Sequence, residues 1–159
     1  METIFMERWL HNIIRQKVEE DPEYRQFVGR ESVDRVTRAD IDRYHLFKLR
    51  KMLSYVYERS TFYRQLFDKS GIKVDEVRSL DDLASIPFTE PIDIAQHPYH
   101  FACVSLGEIE RATTFTSSGT TGPQKKVFCT EGDLETMTDL MGAGMRAVAS
   151  EGDVVQIML

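Results

Sequence analysis

The run Thr113-Thr-Phe-Thr-Ser-Ser-Gly-Thr-Thr-Gly-Pro-Gln-Lys-Lys-Val-Phe-Cys-Thr130 concentrates the groups of this chain best suited to holding a ligand. Ser117, Ser118, Thr120 and Thr121 bring hydroxyls, and Lys125 and Lys126 bring ammonium groups. Gly119 and Gly122 free the backbone to turn and let its N–H groups come close to a bound molecule. Hydroxyl and backbone donors beside a cation suit a polyphosphate. The spacing is not that of a Walker A loop: two residues, not four, separate the glycines, and the lysine does not directly follow the second. Local chemistry leaves two readings, a phosphate cradle and a threonine-rich structural turn. It favours the cradle, because a hairpin needs only about two to five turn residues and has no use for two lysines.

Two short apolar runs flank this segment and read as strands, Ile109 to Thr116 and Val127 to Cys129. Before them the chain reads as helical. An amphipathic helix is expected from about Ile4 to Val18, with Phe5, Trp9 and Ile13, joined by Leu10 and Ile14, facing inward, and Asp21-Pro22 ends it. Glu23 to Ala39 is charged and weakly patterned. Asp40 is placed as the N-cap of a longer helix whose Leu46, Leu49, Leu53 and Val56 recur at three and four. Ser60 or Thr61 opens a further helix carrying Phe62, Tyr63, Leu66 and Phe67, and Gly71 stands where a C-terminal glycine belongs. Ser79-Leu-Asp-Asp82 resembles a capping box, and Thr89-Glu-Pro91 starts another short turn.

After the glycine segment, Thr130-Glu-Gly-Asp133 caps a helix to about Ala149, with Leu134, Met137, Met141, Met145 and Val148 on one face. A turn at Ser150–Asp153 then leads to Val154–Leu159, nearly all apolar, which reads as a strand buried on both faces. Such a strand needs neighbours and a crossover. The expectation is therefore the N-terminal portion of a longer α/β protein: a mainly helical region over 1–108, then the start of an α/β sheet over 109–159.

The chain has 159 residues and a formal net charge of -6, with acids interleaved among its lysines and arginines. That balance argues against nucleic acid or an anionic membrane surface as partner. The N-terminus lacks the apolar core of a signal peptide or membrane span. Two cysteines do not make a disulfide framework, so a reducing, cytoplasmic location is expected.

Other constellations are weaker. Gly142-Ala-Gly144-Met-Arg-Ala147 matches a dinucleotide fingerprint in letters only, since it falls late in a helix; the glycines are read as allowing close helix–sheet packing. His97, His100 and Cys103 are metal-ligand types, but a structural zinc site needs four ligands, and Cys129 is distant, so a packed loop is expected. Neither cysteine has a base beside it in sequence, so a catalytic thiol is unsupported. The aromatic series Tyr55, Tyr57, Phe62, Tyr63 and Phe67 reads as core rather than a base-stacking platform. The Phe5/Trp9/Ile13 face reads as core, with contact to the rest of the chain or to a second subunit of a homodimer as the alternative.

Ser117-Ser-Gly-Thr-Thr-Gly122 with Lys125 resembles the phosphate-binding loop of the adenylate-forming enzymes, the acyl- and aryl-CoA synthetase superfamily. Leu49-Arg50 through Tyr55, Ser60-Thr-Phe-Tyr-Arg64, Leu66-Phe-Asp68, Gly71-Ile72, Ser79-Leu-Asp-Asp-Leu83, Ile86-Pro-Phe-Thr89, Thr130, Asp133-Leu134 and Gly152-Asp-Val-Val-Gln156 resemble, in order and spacing, its phenylacetate-CoA ligase branch.

The resemblance implies an ATP-dependent, AMP-forming acid–thiol ligase. A carboxylate, of aryl or arylacetic type in this branch, attacks ATP to give an acyl-adenylate and pyrophosphate, and coenzyme A then displaces AMP. Carried onto this sequence, Ser117, Ser118, Thr120 and Thr121 donate to the β- and γ-phosphates, Gly119 and Gly122 let the loop fold over them, and Lys125 supplies positive charge. Magnesium is implied as well, with its glutamate ligand, the adenine and ribose contacts and a mobile C-terminal lysine all beyond Leu159. Residues 1–159 alone are therefore expected to be inactive. The sequence departs from the family pattern in one place: Pro123 and Gln124 stand in exchanged order, and Lys126 replaces a frequently small residue. A non-catalytic nucleotide-binding module and a helical assembly domain are the two rival expectations.

Overall fold

The computed structural model describes residues 5–115 and 124–156, so the segment carrying Ser117, Ser118, Gly119, Thr120, Thr121 and Gly122 lies outside the described residues. Residues up to Ile41 group with those from Gly132 onward, and Asp42–Glu131 form a second compact unit. The described residues are helix-rich, and the two-stranded sheet appears only after the long helical stretch.

In the first unit, α1 (Phe5–Glu20) buries Ile14 and Val18 completely or nearly so, while Trp9 and Ile13 are only half-buried. Its inward face is thus rotated from the expected one by about a residue. Asp21-Pro22 does end α1, but it also starts α2 (Pro22–Val28) in the stretch whose pattern looked weak. Asp21 Oδ1 accepts from the backbone N–H groups of Glu23 and Tyr24, Pro22 takes the first helical position, and Gly29 closes the helix at φ 71°. Tyr24 is the buried anchor of this helix and stacks near Phe27.

Helix α3 (Arg38–Arg59) is not capped by Asp40. Thr37 holds that place, one residue before the helix, and Asp40 is the third helical residue of a reciprocal capping box. Asp40 Oδ2 accepts from the Thr37 N–H at 2.8 Å and the Thr37 hydroxyl at 2.7 Å, while the Thr37 hydroxyl accepts from the Asp40 N–H. The Asp40 carboxylate is nearly fully buried and also forms an ion pair with Arg30. A burial this deep demands such pairing.

The second unit is built on Leu49, Leu53, Phe67 and Val77, flanked by Val56, Tyr57, Tyr63 and Leu66. Leu49 and Leu53 come from the expected α3 face; Phe47 is buried too, though the periodicity did not mark it. Helix α4 (Thr61–Ser70) starts at Ser60, whose Oγ accepts from the Tyr63 N–H at 3.2 Å. It ends at Gly71 with φ 68°, a left-handed conformation that costs a side-chain-bearing residue strain.

Asp82 stands in a short 3-10 turn, Leu80–Ser85. Its Oδ2 accepts from the backbone N–H groups of Arg78 and Ser79, each at 2.8 Å, and these bonds hold its carboxyl below the ordinary value. A depressed folded-state value means the cap contributes fully above the unfolded carboxylate range, near pH ~4, and is lost as pH falls through the depressed value. The amide resonances of Arg78 and Ser79 should therefore titrate together below that range. A shared midpoint at or above it would contradict the assignment.

Helix α5 (Pro91–Gln96) and a 3-10 turn, Pro98–Phe101, lead to the hairpin of β1 (Arg111–Phe115) and β2 (Lys125–Cys129). The strands pair antiparallel from Arg111 opposite Cys129 to Phe115 opposite Lys125. The second strand starts at Lys125 rather than Val127, so both lysines belong to the ladder.

Helix α6 (Glu131–Met145) follows in the first unit. Its expected apolar face is only partly covered among the described residues: Leu134 and Met145 are half-buried, while Met137, Met141 and, beyond the helix, Val148 are exposed. Nor does any described atom lie within 4 Å of where a Cβ would sit on Gly142 or Gly144, so the expected close packing on these glycines is not seen. Val154 and Val155 are exposed, and Val154–Gln156 form no strand pairing among the described residues. An extended segment becomes a strand only where its N–H and C=O groups meet another strand's, and no described residue offers that here.

Candidate functional site

The hairpin fixes the geometry of the candidate site. Phe115 and Lys125 are directly opposite, so the two ends of the connection between the strands are held about one strand spacing apart, ~5 Å. Of the residues singled out for phosphate, Lys125 alone is described; its side chain is half-buried at the start of β2. The structure therefore neither assembles nor separates the six loop residues, and it places the cation at the point where the connection rejoins the sheet.

Alternation along β2 separates the two lysines. Lys125 shares a face with Val127 and Cys129, and across the ladder with Phe115 and Thr113; Lys126 and Phe128 share the other with Thr114 and Ala112. Phe115 and Val127, on the Lys125 face, are exposed. On the other face the Tyr99 ring stacks on Phe128, with centroids 5.2 Å apart and planes 25° from parallel. Helix α5 and the Pro98–Phe101 turn both touch β2. Tyr99 thus backs the hairpin at Phe128, while Ala112, Thr114 and Lys126 on that face are exposed; on the Lys125 face Phe115 and Val127 are exposed, and Lys125, Thr113 and Cys129 are half-buried.

The remaining candidates are structural. His97 and His100 stack on each other at 4.9 Å, and the His100 carbonyl accepts from the Ser60 hydroxyl at 2.8 Å. Among the described residues, no group of three or more His, Cys, Asp and Glu is placed to hold a metal ion. Burial pushes the Cys103 thiol above its ordinary value, which keeps it protonated and unsuited to nucleophilic attack. Cys103 and Cys129 are both free thiols. Most of the aromatic series packs as core: Tyr57 and Tyr63 lie against Phe67, and Phe62 stacks on Phe101 at 4.2 Å, whereas Tyr55, expected with them, is exposed. Gly142 and Gly144 lie inside α6, not at the head of a helix that follows a strand, so they form no dinucleotide site. No described helix is long and apolar enough to cross a membrane. What sequence reasoning missed is the backing of the hairpin by Tyr99, for which the sequence held no periodic signal.

No protein-family model matches the chain. Among curated proteins it is similar to the phenylacetate-coenzyme A ligase of Thermus thermophilus, 36% identical over 103 residues that make up 65% of this chain and 23% of that protein. It is also similar to the enzymes of that name from Pseudomonas putida, 32% identical over 79% of this chain and 29% of that protein, and from Aromatoleum evansii, 30% identical over 80% and 29%. The chain therefore spans roughly a quarter of the length of these relatives. Among solved structures it resembles a 2-hydroxyisobutyryl-CoA ligase in complex with 2-HIB-AMP and CoA, with TM-score 0.59 and 22% identity over 65% of this chain and 23% of that one. The same ligase in its post-adenylation state, in complex with 2-HIB-AMP, gives TM-score 0.60 at 21% identity over 70% and 24%. At that identity the likeness establishes the fold, which is part of the adenylate-forming enzyme fold. The sequence matches add the branch: over the residues they cover, the chain is similar to the phenylacetate-CoA ligases among the adenylate-forming enzymes.

Proposed function

We propose that the full-length protein is an AMP-forming acid–CoA ligase in which Ser117 to Lys125 bind the β- and γ-phosphates of ATP, the carboxylate substrate being an aryl or arylacetic acid. The observation that carries this is the placement of Lys125: a half-buried cation at the foot of a strand, on the face opposite the one Tyr99 backs, adjoining a segment rich in hydroxyls and glycine. As the carboxylate attacks the α-phosphorus, negative charge accumulates on the departing pyrophosphate, and a fixed cation and donors there stabilise the transition state. Magnesium, bound outside the described residues, would add to that neutralisation. The 2-HIB-AMP and CoA in the solved neighbour, and the names of the curated relatives, support an acyl-adenylate and coenzyme A as intermediate and co-substrate. Residues 109–159 are the opening of the AMP-binding domain in this reading, and 1–108 its helical lead-in.

Residues 1–159 on their own are inactive in this proposal, because the adenine, ribose and acyl contacts come from the remainder of the protein. The test is ATP–pyrophosphate exchange by the full-length protein with phenylacetate, benzoate and a short aliphatic acid in parallel. Exchange that depends on an aromatic acid, followed by CoA-dependent release of AMP, is the expected result. Saturable ATP binding without exchange for any acid would favour a non-catalytic nucleotide-binding module instead. Exchange by residues 1–159 alone would refute their inactivity.

A further inference from the structure

The Pro98–Phe101 turn is held in place from several directions at once. Ser60, fully buried and already capping α4, donates its hydroxyl to the His100 carbonyl at 2.8 Å. Phe101 stacks on Phe62 at 4.2 Å and meets Tyr63 edge-on at 5.7 Å. Just past the turn, the Tyr55 hydroxyl donates to the Cys103 carbonyl at 3.3 Å. Tyr63 in turn packs against Phe67, one of the buried core residues. From this anchored turn Tyr99 projects onto Phe128 in β2. Because alternate residues of a strand face opposite ways, whatever presses on Phe128 sets the side of the hairpin on which Lys125 stands.

We infer that Tyr99 is a positioning residue for Lys125: its ring, fixed to the helical core through the Pro98–Phe101 turn, braces Phe128 and so fixes the direction and height of the strand that begins with Lys125. This rests on the reading of Lys125 as a phosphate-binding cation. Tyr99 touches no substrate and acts through β2 alone. Its ring is 56% exposed, so it contributes little to the stability of the unit; its effect is on where the strand sits. A displacement of an ångström at a charge-stabilising group is enough to cost up to about a hundredfold in rate, and an aromatic pair is worth only a modest free energy. The expected kinetic effect lies between a negligible one and that limit.

The test compares Tyr99→Ala and Tyr99→Phe in the full-length protein, by ATP–pyrophosphate exchange with phenylacetate and by hydrogen exchange of the β2 amides. Tyr99→Ala should lower kcat/KM for ATP by about tenfold, leave KM for phenylacetate unchanged, and speed amide exchange in Lys125–Cys129. Tyr99→Phe keeps the stacking ring and should restore all three values. An active wild-type protein whose Tyr99→Ala variant keeps both its ATP kinetics and its β2 exchange rates overturns the inference alone. Equal losses toward ATP and phenylacetate, with Tyr99→Phe no better than Tyr99→Ala, overturn it too. A wild-type protein without ATP-dependent exchange for any acid removes the reading beneath it as well, and that outcome is visible before any variant is made.

Discussion

Lys125→Ala in the full-length protein is expected to slow acid-dependent ATP–pyrophosphate exchange by about 10²–10³-fold, the usual cost of deleting one group that stabilises developing charge. The loss should fall mainly on kcat, since charge on the pyrophosphate grows as the bond breaks and is greater in the transition state than in bound ATP. The strand geometry sharpens the expectation. Lys126 is the next residue and equally cationic, but it stands on the other face of β2, beside Phe128 and opposite Thr114. Lys126→Ala should therefore change the rate by no more than about threefold, as for a solvent-exposed charge. Lys125→Arg should recover part of the activity, because the charge is kept while the ammonium's compact shape is not. Equal losses from the two alanine variants would mean that general positive potential, and not a placed cation, is what the segment supplies.

Phe67→Ala should be the most damaging single change to stability in the second unit, lowering it by about 3–5 kcal/mol. The side chain is 1% exposed and lies among Leu49, Leu53 and Val77, with Tyr57 stacked nearly parallel to it at 6.4 Å and Tyr63 tilted against it at 5.8 Å. Truncation removes the transfer free energy of the ring and leaves a cavity that these five aromatic and aliphatic neighbours cannot close. Met52→Ala, beside the core face of α3 but 55% exposed, should cost no more than about 0.5 kcal/mol. Urea unfolding followed by far-UV circular dichroism gives both values, and a loss below about 1 kcal/mol for Phe67→Ala would show that the cluster is not the core of this unit.

Elements with a local chemical signature were legible in the sequence, and those defined by distant partners were not. Ser60 and Gly71 marked the two ends of α4, because capping hydroxyls and left-handed glycines act over three or four residues. Leu49 and Leu53 were legible for the same reason, through helical periodicity. Asp40 misled by three positions: a carboxylate near a helix start fits both the N-cap and the third residue, and only the Thr37 hydroxyl before it decides between them. Helix α2 was missed because its short, charged sequence has little periodicity and owes its start to Asp21-Pro22, the same pair that stops α1. The apolar face of α6 was read from its pattern, but pattern reports what a face is made of and not what covers it. For the site, composition pointed to phosphate and the order of motifs to the family, while the separation of Lys125 from Lys126 needed the register of β2.

The anchoring of the Pro98–Phe101 turn also orders events during synthesis. Its partners, Tyr55, Ser60, Phe62 and Tyr63, all precede it in the chain, and the helices that carry them form in microseconds once they are free to do so. The ribosome adds roughly 5–20 residues per second, so Cys129 leaves about one to five seconds after Cys103. The turn can be seated on α4 throughout that interval, with Tyr99 already presented, before the second strand of the hairpin exists. A two-stranded hairpin is marginal by itself. Here β2 emerges onto a surface already in place, which shortens the search for its register and the time its edge stands unpaired.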